Sequence, residues 1–266
     1  MSTVLQVDER MARLIEAIYE TDESEQRRQT LLHALAPQPE ERVLDIGTGP
    51  GFVANAIADV VGPTGSVLGV DISEPMLNLA RKRCAAKPWV ELQSGNANQL
   101  PAPDNAFDIA ISVQVYEYLA DVLPALREMH RVLRPGGRGA IISTDWNSLT
   151  WNAGDQPQMQ RILSAFAEHC AHQDLPRHLR PHLHAAGLHL TYQQIIPQFN
   201  PTYDEKRYSY HLANGIRAFV PGRQGITQEE ATAWVADLQQ VGAAGNYFFS
   251  LSQYLFVVTK TAAERL

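Results

Sequence analysis

Short apolar runs alternate with amphipathic stretches along most of the chain. The runs are typical of strands buried on both faces, and they fall at 43–46, 66–71, 89–92, 109–113, 139–144, 188–195 and 254–259. Between them, apolar residues recur every three or four positions and predict two helices over 8–36 and others at 52–61, 74–86, 121–133, 156–171, 178–186, 204–219 and 227–241. This alternation predicts an α/β fold: a seven-stranded, mostly parallel sheet with helices on both faces.

Composition narrows the class of protein. The chain has 266 residues, of which 45% are hydrophobic and 19% charged, which suits a single domain over 1–266. The net charge of −7 and the absence of a basic stripe beyond Arg81–Arg83 argue against a nucleic-acid partner. The sequence has no apolar run long enough to span a membrane, no signal-peptide pattern, and only two cysteines. These features predict a cytoplasmic protein.

A glycine turn follows the first predicted strand. Gly47, Gly49 and Gly51 precede the helix that begins at Phe52, so free N–H groups at a helix N-terminus are available to an electron-rich ligand. The dinucleotide fingerprint G-x-G-x-x-G would place its third glycine where Phe52 stands. The turn therefore gives little support to a nicotinamide-dependent oxidoreductase.

The longer string V-L-D-I-G-T-G-P-G at 43–51 resembles the first motif of class I S-adenosylmethionine (SAM)-dependent methyltransferases, in particular those of the ubiquinone and menaquinone type. The resemblance covers about 41–145 and implies a Rossmann-like fold with SAM as the cofactor, in which strand seven runs antiparallel beside strand six. It also implies that the carboxylate of Asp45 sets the glycine loop and the amino-acid end of SAM.

Asp71 ends the second strand about 20 residues after the glycine turn, the spacing at which a carboxylate meets a ribose hydroxyl pair. The alternative is a helix cap, a role that Ser73 also suits. The segment 94–101 resembles the family's adenine-contact segment, with Asn96 at its usual acidic position. The predicted cofactor residues are Asp45, Gly47, Thr48, Gly49, Gly51, Asp71, Ile72, Met76, Asn96, Ala97 and Gln114.

The rest of the chain is assigned to the acceptor. We expect N-terminal helices at 1–36, a SAM-binding half at 37–145, and inserts at 146–178 and 197–250 that form a lid. At least one aromatic residue from each insert, together with Tyr116 or Glu117, should border the space that faces the SAM methyl group; the alternative is that the aromatics only pack the inserts. The candidate catalytic residues are Glu117, Tyr116 and Asp145. The candidate substrate residues are Tyr19, Tyr118, Trp146, Tyr203 and His211.

No metal is expected. Six histidines fall within 169–189, but their spacing does not place them all on one face of a helix, and no Cys-x-x-Cys accompanies them. The Mg²⁺ ligands of catechol-type methyltransferases are missing, since strand four ends in Gln114 and Trp146 separates Asp145 from Asn147. The sequence thus predicts methyl transfer from SAM to an O, N, C or S nucleophile of a small organic acceptor, by a monomer or homodimer. The alternative from another class is a SAM-binding regulator or scaffold without transferase activity.

Metal independence is open to a direct test. Methyl transfer to an identified acceptor should keep its rate in the presence of EDTA, because a sulfonium methyl group is already activated without a Lewis acid. Stoichiometric zinc in the purified protein, or a rate that EDTA abolishes, would contradict this prediction.

Overall fold

The computed structural model describes residues 7–261, so the ends of the predicted N-terminal segment and of the domain lie outside the described residues. The strands are β1 (Arg42–Ile46), β2 (Ser66–Asp71), β3 (Val90–Ser94), β4 (Phe107–Val113), β5 (Leu133–Trp151), β6 (Leu188–Asn200) and β7 (Phe249–Lys260). The helices are α1 (Glu9–Tyr19), α2 (Asp22–Leu35), α3 (Phe52–Val61), α4 (Glu74–Cys84), α5 (Leu123–Val132), α6 (Gln156–Phe166), α7 (Leu175–Ala185), α8 (Tyr208–Phe219) and α9 (Gln228–Ala243). None of the helices described is long and apolar enough to cross a membrane.

The strands form one sheet in the order β3-β2-β1-β4-β5-β7-β6. The first five pair in parallel, whereas β7 runs antiparallel to both β5 and β6. The predicted seven-stranded α/β fold is thus confirmed, including the antiparallel pairing of strand seven with strand six. The strand order reverses between β1 and β4, and in open α/β sheets a crevice for ligands opens at the carboxyl ends of such a pair.

Successive residues of the central strands point to opposite faces of the sheet and meet different helices. Leu44 and Ala110 belong to the apolar cluster that includes residues of α5 and α7, whereas Val43, Ile109 and Ile111 belong to the cluster that includes residues of α2 and α3. Burial on both faces explains why these strands are continuous apolar runs rather than alternating ones.

A third apolar cluster lies beyond the sheet and is built from the two inserted regions. Trp151 at the end of β5 contacts Trp234 of α9 and Phe249 of β7, with ring centroids 5.5 and 4.8 Å apart. The same cluster includes Phe166 of α6 and Ile216 of α8. We call these helices, α6, α8 and α9, the outer layer.

The largest departures from the predicted boundaries are in the last three strands. β5, β6 and β7 extend further than predicted, so they occupy parts of the regions 146–178 and 197–250 that were assigned to inserts. β6 carries many polar residues, so its sequence gives only a weak strand pattern. Its pairing with β7 over its whole length nevertheless holds it as a strand. The predicted helix 156–171 ends as an α-helix at Phe166 and continues as a 3₁₀ turn over Ala167–His169.

Candidate active site

A cavity of about 610 Å³ opens at the carboxyl ends of the central strands. Its lining includes most of the predicted cofactor residues, namely Gly47, Gly49, Asp71, Ile72, Met76, Asn96, Ala97 and Gln114. It also includes a set of rings from α1, the outer layer and the segments beside them, namely Tyr19, Tyr118, Trp146, Phe166, His169, Tyr208 and Phe219.

The three glycines of the turn after β1 have different roles. All three have a positive φ, of 70°, 53° and 81° for Gly47, Gly49 and Gly51. A Cβ on Gly47 would lie 2.2 Å from a Val115 methyl, and one on Gly51 would lie 2.8 Å from the Cα of Ala80, so both glycines allow close packing. A Cβ on Gly49 would approach nothing closer than 4.0 Å, because this residue faces the cavity. Gly51 is not among the lining residues of the cavity, and its contact with the cofactor stays a prediction.

Asp45 and Thr48 lie behind the turn rather than in the cavity wall. The Thr48 hydroxyl donates to a carboxylate oxygen of Asp45 at 2.8 Å, and both residues are buried. Burial raises the pKa of Asp45 to about 7, against the opposing effect of the Thr48 hydrogen bond. This bond holds the glycine loop, the first of the two roles that the resemblance implies for Asp45. A contact of Asp45 or Thr48 with the cofactor stays a prediction.

Asp71 joins the turn to the end of β2. Its two carboxylate oxygens accept from the backbone N–H groups of Gly49 and Ser73, each at 2.8 Å, while the residue lines the cavity. Burial raises the pKa of Asp71, and the two backbone bonds oppose this shift. Ser73 is the N-cap of α4, its hydroxyl accepting from the N–H of Met76 at 3.4 Å. The capping role thus falls to Ser73, and Asp71 orders the loop.

The segment after β3 supplies the next part of the wall. Asn96 and Ala97 line the cavity together with Asn98. The amide oxygen of Asn96, predicted to accept from an adenine amine, accepts from the N–H of Asn98 at 2.9 Å. An amide oxygen has two lone pairs, so one acceptor site of Asn96 is not used by this bond.

Gln114 is held by a buried network that the sequence did not indicate. It has a φ of 55°, and its side chain donates to the Thr144 hydroxyl at 2.9 Å. Its amide oxygen accepts from Nη1 of Arg27 at 2.6 Å and from the Tyr19 hydroxyl at 3.3 Å. Arg27, which is 1% exposed, also donates to Gln253 at 3.2 Å. These bonds connect helix α2 to the residue that follows β4 and to the interior of β7.

The three residues predicted to be catalytic are not among the lining residues of the cavity, and their catalytic role stays a prediction. The 3₁₀ turn Tyr116–Tyr118 buries Tyr116 in the core and presents Tyr118 to the cavity. Glu117 accepts from the Ser143 hydroxyl at 3.0 Å and from the N–H of Thr144 at 3.3 Å. Asp145 instead forms a two-point ion pair with the Arg177 guanidinium, at 2.8 and 3.0 Å.

Of the predicted substrate residues, Tyr19, Tyr118 and Trp146 line the cavity. Tyr203 and His211 do not: Tyr203 packs against Tyr247, with ring centroids 5.6 Å apart, and His211 packs against Tyr210 at 5.3 Å. Tyr203 and His211 thus pack against other rings of the inserted regions. This is the alternative stated for the aromatic residues of the inserts, that they only pack the inserts. The cavity rings that were not selected as site residues are those of Phe166, His169, Tyr208 and Phe219.

The structure separates the histidines of the segment 169–189 from one another. Within residues 7–261 no group of three or more His, Cys, Asp or Glu side chains is arranged to hold a metal ion. His169 is buried and stacks on Phe166, with ring centroids 3.9 Å apart, whereas the His178 side chain is 67% exposed. The histidines are thus dispersed between the cavity wall and the surface.

The chain resembles known methyltransferases in sequence and in fold. Residues 44–141 match the family described as "Methyltransferase domain". A 149-residue stretch is 38% identical to an uncharacterized 37.1 kDa protein in transposon TN4556 of Streptomyces fradiae, covering 56% of this chain and 42% of that protein. A 104-residue stretch is 43% identical to a demethylmenaquinone methyltransferase of Symbiobacterium thermophilum, covering 38% of this chain and 41% of that protein.

The chain thus spans less than half the length of these curated relatives. Among solved structures, a candidate methyltransferase from Bacillus halodurans matches with a TM-score of 0.63 at 19% identity, over 89% of this chain and 100% of that one. At that identity the structural match establishes the fold alone.

The buried carboxyl of Glu117 generates a prediction about stability. Burial raises its pKa to about 7, so between roughly pH 4.5 and 7 the folded protein keeps a proton that the unfolded chain has released. The contribution of Glu117 to the free energy of unfolding is therefore greatest at low pH and falls as the pH rises to 7. Glu117→Gln, which resembles the protonated form, should gain on the order of 2 kcal/mol relative to wild type between pH 5 and 8.

Denaturant unfolding of both proteins at several pH values measures this difference. The comparison isolates Glu117 from Asp45 and Asp71, whose pKa values burial also raises, because both proteins retain these two carboxyls. Unfolding free energies that change in parallel for the two proteins would show that Glu117 ionises normally in the folded state.

Proposed function

We propose that this chain transfers a methyl group from SAM to a small organic acceptor, on the premise that residues 44–141, which match the methyltransferase domain family, lie in a class I, Rossmann-like fold. The observation that carries the proposal is the continuity of the cavity. The same cavity is lined by the glycine turn with Asp71 and by rings of the outer layer such as Phe166 and Phe219. In this proposal the cofactor lies against the glycine turn and Asp71, and the acceptor lies against the rings of the outer layer within the same cavity.

The residues around the turn fit SAM. The open space at Gly49 allows a ligand to approach the backbone, and Asp71 retains lone pairs that suit the ribose hydroxyls. Ile72 and Met76 offer apolar surface to the adenine, with Asn96 at its polar edge. SAM, when bound, supplies a methyl group that its sulfonium sulfur has already activated.

The task left to the chain is to orient the acceptor and exclude water. In this proposal the inserted regions act as the acceptor lid, because Phe166 comes from the first and Tyr208 and Phe219 from the second. Tyr118 takes the place that was predicted for Tyr116 or Glu117. An apolar, ring-lined wall with few polar groups suits an organic acceptor, and a relative that bears the name demethylmenaquinone methyltransferase supports that class.

The rival readings of the fold gain less support. In a nicotinamide enzyme the third glycine would stand at Phe52, whose ring instead packs under the Arg83 guanidinium, 3.4 Å from its centroid. A SAM-binding regulator would need no lined space beside the cofactor, whereas this cavity extends along the outer layer. Titration with NADH and with SAM distinguishes a nicotinamide enzyme from a methyltransferase. Methyl transfer to any acceptor distinguishes a methyltransferase from a SAM-binding regulator.

Gly49→Val should abolish SAM and S-adenosylhomocysteine binding while the fold persists, because the new side chain would project into the cavity. Calorimetry measures the affinity and circular dichroism the fold. Gly62→Val is the matched control, since Gly62 also has a positive φ and open space but does not line the cavity. Affinity that survives Gly49→Val, or is lost equally in Gly62→Val, would defeat the assignment of the turn.

Asp71→Ala should weaken SAM binding by about 1.5–3 kcal/mol, the range for a hydrogen bond to a charged group. It should also lower the free energy of unfolding, because the N–H groups of Gly49 and Ser73 lose their acceptor. Asp204→Ala is the control, since Asp204 likewise accepts from the N–H two residues ahead but lies outside the cavity. If Asp71→Ala loses stability but keeps its affinity for SAM, the residue is structural only.

A further inference from the structure

Helix α1 forms one wall of the cavity and contacts both α4 and α8 of the outer layer. Its lining residues include Met11, Ile15 and Ile18, whose spacing places them on one face of the helix. The same cavity is lined by Gly49 of the glycine turn and by Met76 of α4. The wall formed by α1 therefore borders the space in which the proposed cofactor lies.

The C-terminal end of α1 is tied to the start of α2. The Ile18 carbonyl accepts from the Thr21 and Ser24 hydroxyls, at 2.8 and 2.7 Å. The Tyr19 carbonyl accepts from Nη1 of Arg28 at 2.6 Å. These bonds satisfy carbonyls of the last turn, which have no partner within the helix. A movement of α1 away from the cavity would thus be a swing about this fixed end.

Arg83 of α4 makes the ionic connection to the body of α1. Its Nη2 lies 2.7 Å from a carboxylate oxygen of Glu16, and the two side chains are only 22% and 20% exposed. The same nitrogen lies 3.9 Å from Glu20. Among residues 7–261, the ion pairs that join α1 to another element are these two. Partial shielding from water strengthens such a pair relative to a fully exposed one.

The same arginine also holds the glycine turn. Its Nε donates to the Pro50 carbonyl at 2.9 Å, and Pro50 lines the cavity. Its guanidinium lies 3.4 Å from the ring centroid of Phe52, the first residue of α3. These contacts orient the guanidinium, so less side-chain entropy is lost when it pairs with Glu16. Arg83 thus joins the turn to α1.

We infer that Arg83 is a positioning residue that holds α1 across the cofactor end of the cavity and thereby sets the rates at which SAM enters and S-adenosylhomocysteine leaves. This inference rests on the proposed function, because it requires that the glycine turn binds the cofactor. Arg83 is not among the lining residues of the cavity, so its effect on the ligand passes through α1. The pair with Glu16 breaks whenever α1 swings away, and ligand exchange depends on that opening.

This role has a kinetic signature of its own. The Arg83–Glu16 pair holds α1 in place both before and after a ligand binds, so its loss should speed entry and exit by similar factors. The dissociation constant, which is the ratio of the two rate constants, should then change little. Loss of a group that contacts the ligand, or distortion of the turn, would instead speed exit alone and weaken binding.

The test is Glu16→Ala, which removes the ionic partner and leaves the contacts of Arg83 with Pro50 and Phe52 in place. Surface plasmon resonance with S-adenosylhomocysteine measures both rate constants. Each should rise about three- to fivefold, with the dissociation constant changed by less than about twofold. Glu16→Lys should raise both rate constants further, because it places two positive charges together.

Glu74→Ala is the matched control. Glu74 pairs with Arg81 on the same helix α4, but this pair does not involve α1 and neither residue lines the cavity. This variant should retain the wild-type rate constants. Circular dichroism verifies that each variant is folded.

Salt provides a test that needs no change in the fold. Wild-type rate constants should rise between about 0.05 and about 0.5 M NaCl, because salt screens the ion pair. Those of Glu16→Ala should change little over the same range. S-adenosylhomocysteine suits this comparison because it lacks the sulfonium charge of SAM.

The outcomes separate this inference from the proposed function. If S-adenosylhomocysteine binds a folded Glu16→Ala variant with wild-type rate constants, or if exit alone accelerates, the role of Arg83 is refuted and the proposed function stands. Equal acceleration in Glu74→Ala refutes it as well, as does the same salt dependence in Glu16→Ala and wild type. If wild type does not bind S-adenosylhomocysteine at all, the proposed function fails and this inference fails with it.

Discussion

The turn between β1 and α3 is fastened to the end of β2, and the rest of the site depends on this attachment. The N–H groups of Gly47 and Thr48 both donate to the Val70 carbonyl, at 2.7 and 2.9 Å, and Asp71 accepts from Gly49. Positive φ angles let the chain reverse here without a side chain entering the space above the strands. Parallel pairing of β1 with β2 brings these groups to one edge of the sheet, so the position of the cavity follows from the topology.

Much of the cavity wall around the glycine turn could be predicted because it is encoded locally. Strand, glycine turn and helix follow one another within a few residues, and Asp71 ends the next strand at a regular spacing. The sequence did not distinguish Tyr118, which lines the cavity, from Tyr116 and Glu117, because one residue of register decides the direction of a side chain. The 3₁₀ turn Tyr116–Tyr118 exposes its third residue to the cavity and buries the first two, and no apolar periodicity distinguishes among three such residues in a short turn.

The contacts that surround the rest of the cavity were less predictable because distant segments build them. Arg27 reaches Gln114 and Gln253, which are separated from it by 87 and 226 positions, and a single arginine in an amphipathic helix gives no sign of that network. Spacing places His169 only within a histidine-rich segment. In the structure His169 lines the cavity, stacks on Phe166 and contacts the Phe166 carbonyl through Nδ1, and spacing alone indicates none of these contacts.

The position of β7 has a consequence for how the molecule is made. This strand is the last of the seven in the chain, yet it lies between β5 and β6, and its residues belong to all three apolar clusters. During synthesis on the ribosome, the edges of β5 and β6 that face β7 therefore stay unpaired until Phe249–Lys260 has emerged. The half of the sheet that carries the glycine turn can gain structure early, whereas β5, β6 and the outer layer are completed in the last, long-range and hence slow step of folding.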